Sequence, residues 1–163
     1  MLTISDTEML IRLFSACGVG FLLGWERGRN SKQAGSRTHI LVCLMACVTS
    51  IISAYGYVGN IGFVINSDPA RLVVGVLTGI GFLGTGLIWK DSQHGISGIT
   101  TAANIFLTAV LGIAVGLGLY KLTIATTLIA YLTLESDNFK KKLKRLFGNK
   151  EDDAEEAEEA EDK

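Results

Sequence analysis

The sequence predicts an all-α integral membrane protein, a compact bundle of about five transmembrane helices. Three observations carry this prediction. Apolar stretches, each about long enough to cross a bilayer, fill most of residues 9–134; Gly occurs 19 times and Pro once, at Pro69. Mean hydropathy is +0.38 even though the last residues are almost all charged. At about 1.5 Å rise per residue, roughly 20 apolar residues cover a ~30 Å hydrocarbon core.

The first span is read as Met9–Trp25. The preceding residues lack a basic start, and no small-residue cleavage site follows, so the stretch is expected to remain as a span and not to be removed as a signal peptide. Arg12 lies near its outer end and admits two readings, a cation snorkelling to the interface or a functional partner. The second span is Ile40–Tyr57. Its Cys43 and Cys47 share a helix face and, with Cys17, read as small packing residues, because thiols without His or carboxylate neighbours make a poor metal site.

Ser67-Asp68-Pro69-Ala70-Arg71 reads as an outer helix start, with Asp68 as N-cap and Pro69 at the first helical position. It opens the clearest span, Leu72–Trp89, eighteen residues without a formal charge between Arg71 and Lys90. Residues 79–84, GIGFLG, match the dinucleotide fingerprint literally. They lack the strand, helix and distal acidic residue it requires, so Gly79, Gly81, Gly84 and Gly86 are assigned to helix packing instead.

Residues 99–134 form 36 positions with one charge, Lys121. A single helix of that length would measure about 54 Å, too long for a bilayer, so a break is expected at Gly116-Leu117-Gly118 and gives spans Thr100–Leu117 and Leu119–Leu134. The pairs Gly20/Gly24, Gly75/Gly79 and Gly112/Gly116 place small residues on one face of three spans, which permits close helix approach within the bundle or self-association.

Charge supplies orientation. Residues 1–150 carry 14 Lys and Arg against 7 Asp and Glu, whereas residues 151–163 carry one basic and nine acidic residues. Five spans with the N-terminus outside put 11 of those 14 basic residues inside; four spans would expose the 140–145 cluster. Residues 1–134 are thus a transmembrane domain. Residues 135–149 are expected to form a basic amphipathic helix on an anionic leaflet, and residues 150–163 a disordered acidic tail.

The polar inventory is small and gathers at the inner face: Glu26, Arg27, Arg37, Thr38, Asp91, Thr101 and Asn104, with Arg29, His39, His94 and Thr100 beside them. These residues form either helix-anchoring salt bridges or a proton, anion or regulator site, with Glu26, Arg27, Arg37 and Asp91 expected as a network across two loops. Asn104, an amide within a span, is expected to bond across helices. His39 and His94 are too few and too far apart to argue for metal. No nucleophile–base pair or ligand cluster is visible, so neither an enzyme nor a cofactor or metal is expected, and nothing points to nucleic acid.

Three blocks, residues 24–42 (GWERGRNSKQAGSRTHILV), 68–91 (DPARLVVGVLTGIGFLGTGLIWKD) and 95–120 (GISGITTAANIFLTAVLGIAVGLGLY), resemble in order the N-terminal membrane domain of the MgtC/SapB family. The matching positions include Glu26, Arg27, Gly35, Arg37, Thr38, Asp68, Arg71, Gly79, Gly81, Gly84, Gly86, Gly98 and Thr101. Gly75 and Ser97 depart from the family's frequent Gln and Arg. The resemblance implies a bacterial cytoplasmic-membrane protein tied to magnesium limitation, to survival of some pathogens within macrophages and to control of the membrane ATP synthase. The family's appended soluble regulatory domain is expected to be missing.

Two functions compete on these grounds. One is a non-catalytic regulatory or stress-response protein working through helix contacts in the bilayer, with itself as a homo-oligomer or with another membrane complex such as the ATP synthase. The other is a transporter or channel for Mg²⁺ or another small solute. The spans offer it little, since they contain no carboxylate to replace the water that Mg²⁺ releases reluctantly.

Overall fold

The computed structural model describes residues 4–56, 68, 70–91 and 95–136. The expected basic helix and acidic tail therefore lie outside the described residues, apart from 135 and 136. Five α-helices account for nearly all of what is described: α1 (Asp6–Arg29), α2 (Ser36–Ile51, continued by a π-helical turn, Ile52–Gly56), α3 (Ala70–Thr85), α4 (Ile99–Gly116) and α5 (residues 120–136). Three of them, α1, α2 with its π turn, and α4, are long and apolar enough to cross a membrane.

α1 begins with Asp6 and Glu8 in its first turn and closes with Arg27 and Arg29 in its last, each sign opposing the helix dipole. It stops where Ser31 turns left-handed (φ 50°) and Lys32 N donates back to Arg27 O at 3.0 Å. The break in the last apolar run falls at the expected glycines. α4 ends at Gly116, Gly118 adopts φ 79°, and the Leu119 amide donates to Ala114 O at 2.9 Å before α5 starts.

α2 is the central helix, held between α1 and α4. Two glycine ridges make this possible. A Cβ on Gly20 would sit 2.7 Å from His39 O and Ile40 Cα, and one on Gly24 2.5 Å from Ser36 Cα. On the other side a Cβ on Gly112 would overlap Cys43 O, and one on Gly116 would lie 2.6 Å from Cys47 O. In lipid the drive for such contact is dispersion between closely approaching backbones, since the tails are as apolar as Leu. The core of this layer is accordingly made of small residues: Ala16, Cys43, Ala46, Cys47 and Ala109 are fully buried.

α3 corrects the sequence reading at two points. The run read as Leu72–Trp89 is helical only from Ala70 to Thr85, 16 residues or about 24 Å, because Leu87 N and Ile88 N turn back onto Gly84 O and Thr85 O. Trp89 instead begins β1 (Trp89–Asp91), which pairs antiparallel with β2 (Gly95–Ser97) in the register Trp89–Ser97, Lys90–Ile96, Asp91–Gly95. This hairpin stands where a plain loop was expected.

The second correction concerns the glycines assigned to packing. α3 meets the bundle through Val73, Val76, Leu77, Ile80 and Gly84, the stripe facing α4. Among the described residues, Gly75, Gly79 and Gly81 have nothing within 4 Å of where a Cβ would stand, and Gly86 approaches only Leu83 O of its own turn. Gly84, 3.8 Å from Ala102 Cβ, is the one of the four assigned residues that touches another helix. The tight glycines sit on α1 and α4 because those helices flank the centre, whereas α3 packs from the periphery.

Asp68 stands ahead of α3, which starts at Ala70: its Oδ1 accepts from Ala70 N at 2.9 Å, and its carbonyl accepts from Arg71 N at 3.1 Å, while Pro69, expected at the first helical position, lies outside the described residues. Arg71 is exposed and makes no ion pair among the described residues.

Candidate functional site

At one end of the bundle the α1–α2 turn, the hairpin, the start of α4 and the end of α5 surround a polar cavity of about 930 Å³. Glu26 and Arg27 form its floor. Both are buried, and Arg27 Nε donates to Glu26 Oε2 at 2.5 Å, while Asn30 Nδ2 donates to Glu26 Oε1 at 2.6 Å. A carboxylate withdrawn from water is tolerated only when its lone pairs are taken up in this way. Thr101 lies on the same cavity and is buried.

Beneath the cavity Asn104 of α4 reaches α2, as an amide in a span was expected to do. Its Nδ2 lies 3.0 Å from His39 Nε2, and His39 Nδ1 lies 2.9 Å from Gly35 O. A carbonyl can only accept, so Nδ1 carries the imidazole proton, Nε2 accepts, and Asn104 is the donor. That assignment leaves Asn104 Oδ1 buried and without a partner among the described residues.

The other residues read from sequence are placed differently. Arg37 and Thr38 are exposed on the first turn of α2, and Arg37 makes no ion pair among the described residues. The Glu26–Arg27 pair is therefore closed within α1 and its turn, with no bridge to Arg37. The reason is helical geometry: residues 36, 39 and 40 face α1, and 37 and 38 point away. Asp91 lies in β1 opposite Gly95, and His94 lies outside the described residues. Among the described residues no three His, Cys, Asp or Glu come together as a metal site.

The opposite end holds a second cluster that the sequence reading did not assemble. Arg12 is 7 % exposed. Its Nε donates to Glu8 Oε1 at 3.0 Å, and its Nη1 donates to Gly116 O at 2.6 Å and to Tyr55 Oη at 3.3 Å. Tyr120 Oη donates to the same Glu8 oxygen at 2.8 Å. Of the two readings open for Arg12, the snorkelling anchor gives way to an interhelical clamp. The Glu8/Arg12 spacing of four was the available signal; Tyr55 and Tyr120 gave none.

Long apolar helices whose few buried charges are locked in pairs define a multi-pass α-helical membrane protein. The profile of the MgtC family matches residues 13–145, and the chain belongs to that family. It is 38 % identical over 129 residues to YhiD of Escherichia coli (strain K12), whose name carries a provisional magnesium-transporter assignment, covering 78 % of this chain and 60 % of that one. It is 35 % identical to Protein SapB of Bacillus subtilis (80 % and 56 % covered) and 32 % identical to Protein MgtC of Salmonella typhimurium (74 % and 48 % covered). The chain thus spans about half to three fifths of the length of these relatives. No solved structure matches it.

Proposed function

We propose that this chain is a non-catalytic bacterial inner-membrane protein of MgtC type, with its N-terminus outside and C-terminus inside, that serves adaptation to low magnesium by regulating other membrane complexes. The observation that carries this reading is the state of the buried carboxylate. Glu26 is the only buried carboxylate among the described residues, and both its oxygens are engaged, by Arg27 and Asn30. A path for Mg²⁺ needs free oxygen ligands at depth to replace its tightly held water. The segment of α1 between Arg12 and Glu26 carries apolar and small residues with a single Ser, Ser15. Self-association along the open Gly75/Gly79 face of α3, and contact with a partner such as the ATP synthase, belong to the same proposal.

Transport of Mg²⁺ is the second reading, favoured by the assignment in the name of YhiD. Purified protein in liposomes separates the two. The regulatory reading expects no Mg²⁺ entry above protein-free vesicles from a preparation whose gene restores growth in low magnesium; saturable uptake by such liposomes overturns it. A reporter fused after Arg145 is expected to read as internal, and an external signal rules out the orientation.

A further inference from the structure

A groove of about 350 Å³ runs between α4 and α5, lined almost wholly by apolar surface from residues such as Ala103, Leu107 and Ile129. Thr100 and Leu134 line both this groove and the 930 Å³ polar cavity, so the two lie side by side. We propose that this end of the bundle holds one anionic phospholipid, with its phosphate headgroup in the polar cavity and an acyl chain in the α4–α5 groove.

The cavity is built for an anion. Arg27 is 3 % exposed and spends only Nε on Glu26; among the described residues its two terminal nitrogens take no partner. Lys32, exposed at the rim, makes no ion pair among the described residues, so Arg27 and Lys32 exceed Glu26 by one positive charge. α4 is entered through Gly98, which supplies no side-chain cap, and its first residues, 99–101, all line the cavity. Their amides have no acceptor within the helix and stand at its positive end, an arrangement that favours phosphate. Guanidinium and ammonium groups complete the usual set of phosphate donors.

The groove decides between a lipid and a free anion. A soluble phosphate would engage only the cavity and leave the groove unused, whereas a phospholipid uses both. Of the groove's three threonines, Thr100, Thr126 and Thr133, the last turns its hydroxyl onto Ile129 O at 2.8 Å.

Native mass spectrometry of the purified chain with phosphatidylglycerol and phosphatidylcholine tests this. One phosphatidylglycerol per chain is expected, retained about tenfold better than phosphatidylcholine, whose choline cation cancels its phosphate charge and opposes the cavity's one excess positive charge. Lys32→Glu should lower that retention about tenfold and Lys32→Arg restore it; Lys32 lies outside the helices, so folding is preserved. Ala103→Phe, at an exposed position that fills the groove, should weaken phosphatidylglycerol binding as well. Equal retention of the two lipids, or unchanged retention in both Lys32→Glu and Ala103→Phe, overturns the proposal. Inorganic phosphate displacing the lipid while Ala103→Phe has no effect also overturns it, in favour of a free anion.

Discussion

Arg12 Nη1 donates to the carbonyl oxygen of Gly116 at 2.6 Å, tying the start of α1 to the end of α4 across 104 positions of sequence. Gly116 O belongs to the last turn of α4, where carbonyls lack intrahelical donors and carry the negative end of the helix dipole. A guanidinium is suited to this place because its fork serves Gly116 O, Glu8 and Tyr55 together. Arg12→Met is therefore expected to lower stability by about 1–3 kcal/mol, because it leaves a carbonyl and a carboxylate short of their donor. Arg12→Lys should recover only part, since one ammonium cannot reproduce the fork. Unfolding titrations in mixed micelles measure both; an unchanged midpoint for Arg12→Met would show that water replaces the clamp without loss.

The glycine ridges make a contrasting pair of outcomes. Gly20→Leu or Gly112→Leu drives side-chain atoms into the α2 backbone, where no flexible group can yield. Each should cost more than about 3 kcal/mol, beyond ordinary overpacking, and abolish the folded monomer. Gly79→Leu meets only open space and should leave the monomer intact, but reduce any oligomer formed along α3. Circular dichroism and light scattering in detergent distinguish these cases. A Gly79→Leu protein of unchanged mass would place that face against lipid and remove the homo-oligomer from the proposal.

The fate of the glycines shows how far the sequence was legible. Spacing identified the small faces and placed the α4–α5 break at Gly116–Gly118, because chain length and charge constrain any helix that must fit a bilayer. Spacing does not say which helix stands opposite. Of three Gly pairs equivalent in sequence, two press on α2 and one, Gly75/Gly79, meets nothing among the described residues. Trp89 was read as the end of a span because apolar composition continues through Ile88; three-residue strands have too few positions for a period to emerge. Glu26 and Arg27 stand out together in the sequence, and Asn30, four residues after Glu26 on the same helix face, completes the pair. The Arg12 cluster assembles residues 8, 12, 55, 116 and 120, a contact set that exists only after folding.

Gly98 is the hinge of the hairpin onto α4. Its φ is 93°, and a Cβ there would overlap Leu87 O, so both backbone conformation and space exclude a side chain. Gly98→Ala should displace Leu87 from its contact with the Ile80 core and disturb the hairpin, at a cost above about 1–2 kcal/mol. Trp89 of the paired strand reports this through its fluorescence in a Trp25→Phe background, Trp25 being the second tryptophan of the chain. Gly95→Ala, with φ 75° but no neighbour within 4 Å, should be the milder change. Equal effects at the two positions would mean that backbone strain alone, and not the Leu87 contact, sets the requirement.

The Glu26–Arg27 pair should be more sensitive to losing one member than both. Arg27→Met leaves a buried carboxylate held by Asn30 alone, and breaking a buried pair in this way costs about 3–5 kcal/mol in water-soluble proteins. Glu26→Gln retains an oxygen for Arg27 or Asn30 and loses the charge, so it should be milder. The double variant Glu26→Gln/Arg27→Met should recover much of the stability lost in Arg27→Met, because no unpaired charge remains. Arg37→Gln, on an exposed face without an ion pair among the described residues, should leave stability within about 0.5 kcal/mol. Growth in low magnesium then separates structure from function. Loss of growth in Arg37→Gln at normal stability would assign Arg37 to a partner contact, and loss in the stabilised double variant would assign the pair to function as well as to fold. Normal growth in both would remove this end of the bundle from the regulatory site.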